Sequence, residues 1–177
     1  MLFLPTELPG VFVIEPEPMA DNRGLFARTY CRDEFAAHGL CTTWMQCNVS
    51  FNTRVGTLRG MHWQAAPHEE VKLVRCTAGA AFDVVADLRP DSPTFRKWVA
   101  VGISAENRRS VYIPGGFAHG FQTLAAGTEL FYQMSAVYVP EAARGARWDD
   151  PALGIVWPIC EARVIAPRDL SFLDLPI

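Results

Sequence analysis

The sequence predicts an all-β fold, a jelly-roll barrel with short peripheral helices, formed as a single domain over residues 1–177. Apolar runs of strand length recur at roughly 8–12-residue spacing, the interval of sandwiches and barrels. Thirteen Gly and thirteen Pro stand as scattered single breaks between those runs, with no repeat or low-complexity tract. Within the runs, apolar and polar residues alternate with the period of a strand. Half the residues are apolar and a fifth are charged, so 177 residues suffice to bury one sizeable core.

Along the chain, one stretch reads as helix. From Arg32 to His38, Asp33 and Glu34 lie early, where a helix N-terminus favours acids, and Gly39 supplies a stop. In WMQCNVS, the polar residues Gln46, Asn48 and Ser50 alternate with Met45, Cys47 and Val49, so one face of that strand must meet water or a ligand. From Lys72 to Arg89, two β-rich segments flank Thr77-Ala78-Gly79, which reads as a hairpin. In its second segment Phe82, Val84, Ala86 and Leu88 share one face, and Asp83, Val85, Asp87 and Arg89 share a half-polar one. Strand-like segments continue through VAVGIS, RRSVYIPGGFAHGFQTL and TELFYQMSAVYV, with corners at Pro114-Gly115-Gly116 and Ala126-Gly127.

Composition excludes several roles. Sixteen Lys and Arg against 19 Asp and Glu give a net charge of −3 and a pI near 5.8, which leaves no basic coat for bulk nucleic acid. No run approaches the roughly 18 apolar residues of a membrane span. Pro5 and Glu7 interrupt what a secretory signal would keep apolar, so a cytoplasmic, unanchored protein is expected. Five cysteines, an odd number without a C-x-x-C pair, argue against a disulfide framework or zinc knuckle and read mostly as small buried hydrophobes.

A barrel of this size usually fills with apolar side chains, yet Gln46, Asn48, Ser50, Arg59, His62, Lys72, His119 and Tyr132 interrupt its strands. Taken singly, Lys72 fits a solvent-side strand end, Tyr132 a rim tyrosine and His119 a satisfied turn histidine. His62, beside Trp63 and close to Leu58 and Met61, needs a partner if buried. A base, a cation, a phenol and several amides in one barrel together suggest a reactive cavity. A metal set drawn from His62, His68, Glu69 or Glu70, and His119 is the other chemical possibility, but a close His-x-His pair is missing because Gln64 stands two after His62.

DNRGLFARTY, WMQCNVSFN, GTLRGMHWQ, HEEVKLVR, AAFDVVADLRPDSPTF, IPGGFAHGFQTL and RWDDPALGIVWP, in this order over nearly the whole chain, resemble the dTDP-4-dehydrorhamnose 3,5-epimerase family. The resemblance implies a cupin-type jelly roll, a homodimer that exchanges N-terminal strands, and action without metal or other cofactor on a nucleotide-linked 4-keto-6-deoxy sugar. Protons on carbons 3 and 5 both flank the ketone, so inversion needs two proton carriers and a clamp for the enolate oxygen. By similarity His62 is the base, Tyr132 the acid on the far face, Lys72 the oxyanion clamp, and Asp169 the carboxylate that orients His62. Arg23, Arg28, Gln46, Asn48, Arg59 and His119 are then expected around the sugar and diphosphate. Strict alternation would send Arg59 and His62 to opposite faces, so a bulge at or near Gly60 is expected.

Two positions depart from the family pattern: Arg28 where Glu is common, and Gln133 where Lys commonly follows the tyrosine. The acid-to-base change at Arg28 leaves the nucleotide and the sugar open, and the family includes enzymes that invert carbon 3 alone. Two readings of other classes remain beside the epimerase, a metal-dependent cupin oxygenase or isomerase and a non-catalytic cupin that binds sugar nucleotides.

Overall fold

The structure is a computed structural model and describes residues 1–176. In chain order the strands are β1 (Leu2–Pro5), β2 (Phe12–Glu15), β3 (Met19–Asp21), β4 (Gly24–Phe26), β5 (Gln46–Asn52), β6 (Thr57–Gln64) and β7 (Lys72–Ala78). They continue as β8 (Ala80–Asp87), β9 (Trp98–Ser104), β10 (Ser110–Ile113), β11 (Phe117–Thr123), β12 (Thr128–Met134), β13 (Ala143–Gly145) and β14 (Val164–Ile165). Helix α1 spans Arg32–Ala37 and α2 spans Pro167–Leu170, with a 3-10 turn at Pro140–Ala142. No helix among the described residues is long and apolar enough to cross a membrane.

Two sheets face each other as a jelly roll. The first has the order β1-β2-β10-β7-β12-β5 and the second β13-β6-β11-β8-β9, with β14 added parallel to β6; β3 and β4 form a separate hairpin. Val74, Cys76, Val85, Val111, Ile113, Phe121 and Leu130 pack between the sheets at one end. The outer face of the second sheet buries Leu58, Met61, Val84 and Ala86 under Leu153, Ile155 and Trp157 of the C-terminal segment. On the first sheet, Phe35 of α1 packs with Ile14, Leu73 and Tyr112, a burial worth about 1.5–3 kcal/mol for such a side chain. The helix ends where expected, at His38, and Gly39 follows with φ +68.

The expected hairpin over Lys72–Arg89 is corrected. β7 pairs with β10 and β12, whereas β8 pairs with β9 and β11, so the chain passes from one sheet to the other at Gly79. Gly79 has φ +71, and a Cβ there would lie 2.5 Å from the Thr128 hydroxyl, so the corner is wedged against β12. Local alternation correctly marks two strands; it carries no information about which sheet receives the second. The expectation for the cysteines is corrected too. Cys76 alone is buried, while Cys47 is exposed on the outer face of edge strand β5 and Cys160 in the loop before β14.

Two local devices position the site. Between β6 and β11 the register runs His62 with His119 but Arg59 with Phe121, so β6 carries one residue more than its partner. Gly60, at φ +131, makes this possible: a Cβ on it would lie 2.5 Å from Gly120 Cα. The bulge expected at Gly60 is therefore present, and Arg59 and His62 line one cavity. The second device is Asp87 at the end of β8. Its carboxylate accepts from Arg89 Nε (2.9 Å), Ser92 Oγ (2.6 Å) and Thr94 Oγ1 (2.7 Å), knotting the loop to β9.

Gly60→Ala is expected to destabilise the protein by about 2–4 kcal/mol through left-handed strain and overlap, a Tm loss of roughly 2–4 °C per kcal/mol. An unchanged Tm would mean that β6 and β11 part without cost. Burial alone would raise the Asp87 carboxyl, but the bonds from Arg89, Ser92 and Thr94 outweigh it and hold the group far below its ordinary range. A lowered folded value means the stabilisation is complete above about pH 4 and declines as the pH falls below it. Calorimetry between pH 7 and pH 2.5 is expected to show a steeper acid loss of Tm for the native chain than for Asp87→Asn; parallel curves would contradict this.

Candidate active site

Both sheets contribute to a cavity of about 260 Å³ at the open end of the sandwich. From the first sheet come Asn48 and Ser50 on β5, Lys72 on β7 and Tyr132 on β12; from the second come Arg59 and His62 on β6 and His119 on β11, with Glu70 just ahead of β7. The hydrophilic face read in WMQCNVS thus turns inward. Gln46 lines an adjoining cavity of about 340 Å³, and its side-chain oxygen accepts the Tyr138 N–H at 2.9 Å. The two cavities share Asn48, His62, Glu70 and Met134 in their walls.

His62 and His119 are cross-strand neighbours, and each is backed by a carboxylate. His62 Nε2 lies 2.8 Å from Asp169 Oδ1, and the Gly60 N–H donates to Asp169 Oδ2 at 3.2 Å. Pro167 at the first position of α2 turns the chain so that Asp169 reaches β6. Burial would raise the Asp169 carboxyl, but the His62 bond and charge and the Gly60 N–H together keep it below its ordinary value. With Nε2–H committed to Asp169, the lone pair of His62 lies on Nδ1. The ring is 39% exposed, at the cavity mouth, and packs edge-on to Phe172 with centroids 5.8 Å apart.

His119 is buried, with Nε2 2.8 Å from Asp83 Oδ2. The Tyr132 ring stands nearly perpendicular to it at 5.9 Å. Burial first, then the charge of Asp83, push the Tyr132 phenol well above its ordinary value, and Arg59 offsets only part of this. The Tyr132 hydroxyl therefore stays protonated and neutral at physiological pH. Lys72 is buried with its Nζ 2.5 Å from Glu70 Oε1. Arg59 is aimed by Asn52, whose side-chain oxygen accepts its Nε–H at 2.8 Å while its amide donates to the Thr128 carbonyl.

The remaining candidates lie elsewhere in the chain. Arg23, in the turn of the β3–β4 hairpin, pairs with Asp21 at 2.6 Å and is 85% exposed. Arg28 pairs with Glu34 at 2.7 Å. Neither lines the cavity of its own chain. Among the described residues, no three His, Cys, Asp or Glu side chains are grouped to hold a metal ion. Several cavity residues escaped the sequence reading: Glu70, considered only as a metal ligand, Asp83, noted only as polar, and Tyr138, Arg144 and Arg168 of the adjoining cavity. Glu70 carried a usable signal, because it stands two residues before Lys72 and so on the same face of an extended segment.

The chain as a whole is similar to known proteins in sequence and in fold. A family model described as dTDP-4-dehydrorhamnose 3,5-epimerase matches residues 5–176. The enzyme of that name from Sinorhizobium fredii is 41% identical over 180 residues, covering 100% of this chain and 92% of its own. The crystal structure of the Bacillus anthracis enzyme, with TDP and PPi bound, superposes with a TM-score of 0.95 at 34% identity, covering 98% of this chain and 99% of that one. ChmJ, a 3'-monoepimerase from Streptomyces bikiniensis in complex with dTDP-quinovose, superposes at 0.90 with 32% identity, covering 97% and 86%. Matched from end to end in sequence and in fold by these proteins, the chain belongs to the dTDP-4-dehydrorhamnose 3,5-epimerase family.

Proposed function

We propose that the protein inverts carbon 3, carbon 5 or both of a nucleotide-linked 4-keto-6-deoxy sugar by proton removal and return through an enolate. One observation carries this reading: His62 and Tyr132 enter the same cavity from opposing sheets, so a ring held between them has a base on one side and an acid on the other. His62 Nδ1 takes the proton next to the ketone, and Asp169 stabilises the imidazolium that forms. The electron pair moves onto the carbonyl oxygen, where the Lys72 ammonium balances its charge; one such preorganised donor is typically worth about 2.7–4 kcal/mol. The Tyr132 O–H then delivers a proton to the opposite face, and exchange with solvent resets both carriers.

The wider surroundings suit a diphosphate sugar. Asn48 and Arg59 offer donors around the sugar and His119 a ring nitrogen, and the adjoining cavity offers Arg144, Arg168 and the exposed ring of Tyr138 for phosphates and a base. We assign the protein to the cytoplasm and to a homodimer in which the β3–β4 segment crosses to a second copy. That arrangement would give Arg23 and Arg28 a phosphate to bind, and would cover Met19 (70% exposed) and Phe26 (71%) on the hairpin and Val49 (63%) and Phe51 (56%) on the outer face of β5.

The reaction is tested in deuterium oxide by NMR with 4-keto-6-deoxyhexoses carrying dTDP, GDP or CDP. Label is expected at carbon 3, at carbon 5 or at both with at least one of them, and no label with any would exclude the reaction. Tyr132→Phe is expected to retain label uptake while inversion falls about 10²–10⁴-fold; full inversion would remove Tyr132 from the acid role. For the dimer, Arg23→Ala and His62→Asn proteins, each inactive alone, are expected to recover activity after unfolding and refolding together. A mixture that stays inactive would keep Arg23 out of the second copy's site.

A further inference from the structure

Lys72 is the buried cation of the cavity, and little around it can balance the charge of an ammonium. Arg59, His62 and His119 face it from the second sheet, with Asp169 and Asp83 occupied behind the two histidines. Of its flanking strands, β12 supplies neutral Tyr132, and Tyr112 of β10 is engaged elsewhere, its hydroxyl accepting the Cys41 N–H. Glu70 is the one carboxylate that lines the cavity among the described residues, and both it and Lys72 have side chains only 7% exposed.

Glu70 is itself held. Its Oε2 accepts from Gln64 Nε2 at 2.9 Å. The same NH2 of Gln64, 3% exposed, has the carbonyls of His68 (3.0 Å) and Val137 (3.2 Å) in reach, so its two protons are shared among three acceptors, and its oxygen accepts the Val139 N–H at 2.6 Å. Backbone on two loops thus fixes Gln64, Gln64 fixes Glu70, and Glu70 takes one of the three protons of Lys72, leaving the others for a substrate oxygen. An ammonium in such a site is costly unless paired.

We propose that Glu70 is a positioning residue for the epimerase reaction: through Gln64 it keeps Lys72 charged and pointed into the cavity, and thereby sets the alkaline end of the activity range. This rests on Lys72 acting as the enolate clamp. The sign follows from charge. Burial lowers the affinity of Lys72 for its proton and Glu70 opposes that. Without the carboxylate, the ammonium is lost at lower pH and turnover goes with it. Tyr132 does not set this limit, because its phenol stays protonated well beyond it.

The experiment is kcat and KM against pH for the native chain, Glu70→Gln, Glu70→Asp and Lys72→Ala, with the nucleotide sugar found by the deuterium panel. Glu70→Gln is expected to leave KM within about threefold, lower kcat about tenfold at pH 8, and move the alkaline limb down by at least about one pH unit. Glu70→Asp, which keeps the charge, is expected to hold the limb near its native place even with a lower kcat, and it serves if Glu70→Gln does not fold. An unmoved limb in Glu70→Gln, or a limb displaced equally in Glu70→Asp, overturns the proposal while a dead Lys72→Ala still supports the clamp. Native turnover in Lys72→Ala overturns the clamp, and the proposal with it.

Discussion

The contact between the backbones of Gly60 and Gly120 is the constraint on which the site depends. Two strands can come this close only if neither has a side chain at the crossing, since a Cβ on Gly60 would meet Gly120 Cα at 2.5 Å and one on Gly120 would meet Met61 Sδ at 2.7 Å. The extra residue in β6 is absorbed there, so Arg59 and His62 share the inner face while Met61 packs outward against Val84 and Ala86. The same glycine donates its N–H to Asp169. One crossing therefore sets the orientation of the imidazole, the seat of its carboxylate and the reach of the arginine.

Around that crossing the polar groups are arranged as backed pairs: His62 on Asp169, His119 on Asp83, Lys72 on Glu70, Arg59 on Asn52. Buried pairs of this kind contribute little net stability, because desolvation consumes most of the attraction. What they supply is fixed direction in a low-dielectric cavity, so that donors and acceptors need little rearrangement when charge develops. The apolar packing that stabilises the fold sits mainly at the other end of the sandwich and under the C-terminal segment.

How much of this was legible in the sequence follows from the range of each interaction. Face alternation is local, so the shared polar face of Asn48 and Ser50, the two faces of β8 and the short helix before Gly39 could all be read from spacing, though not that the first of these turns inward. The bulge was legible once family resemblance placed Arg59 and His62 in one cavity, because residues three apart with a glycine between cannot otherwise share a face. Sheet membership is non-local, and for that reason Thr77-Ala78-Gly79 read as a hairpin although it is a crossing between sheets. The pairing of Glu70 with Lys72 was within reach of local spacing, whereas its anchorage by Gln64 depends on a loop more than seventy residues further along the chain. Asp169 entered by family resemblance alone, as nothing in its surroundings announces a partner 107 residues away.

The carboxylate behind His62 stands on α2, after β13 and β14, beyond every strand that walls the cavity. Synthesis on a ribosome runs from the first strand to the last turn, so a nascent chain possesses all its cavity walls before it possesses Asp169. Until α2 has emerged, the His62 imidazole has no carboxylate to fix its tautomer. A chain that stops before β14 keeps the strands around the smaller cavity but lacks the carboxylate that holds the His62 ring, along with Arg168 of the adjoining cavity.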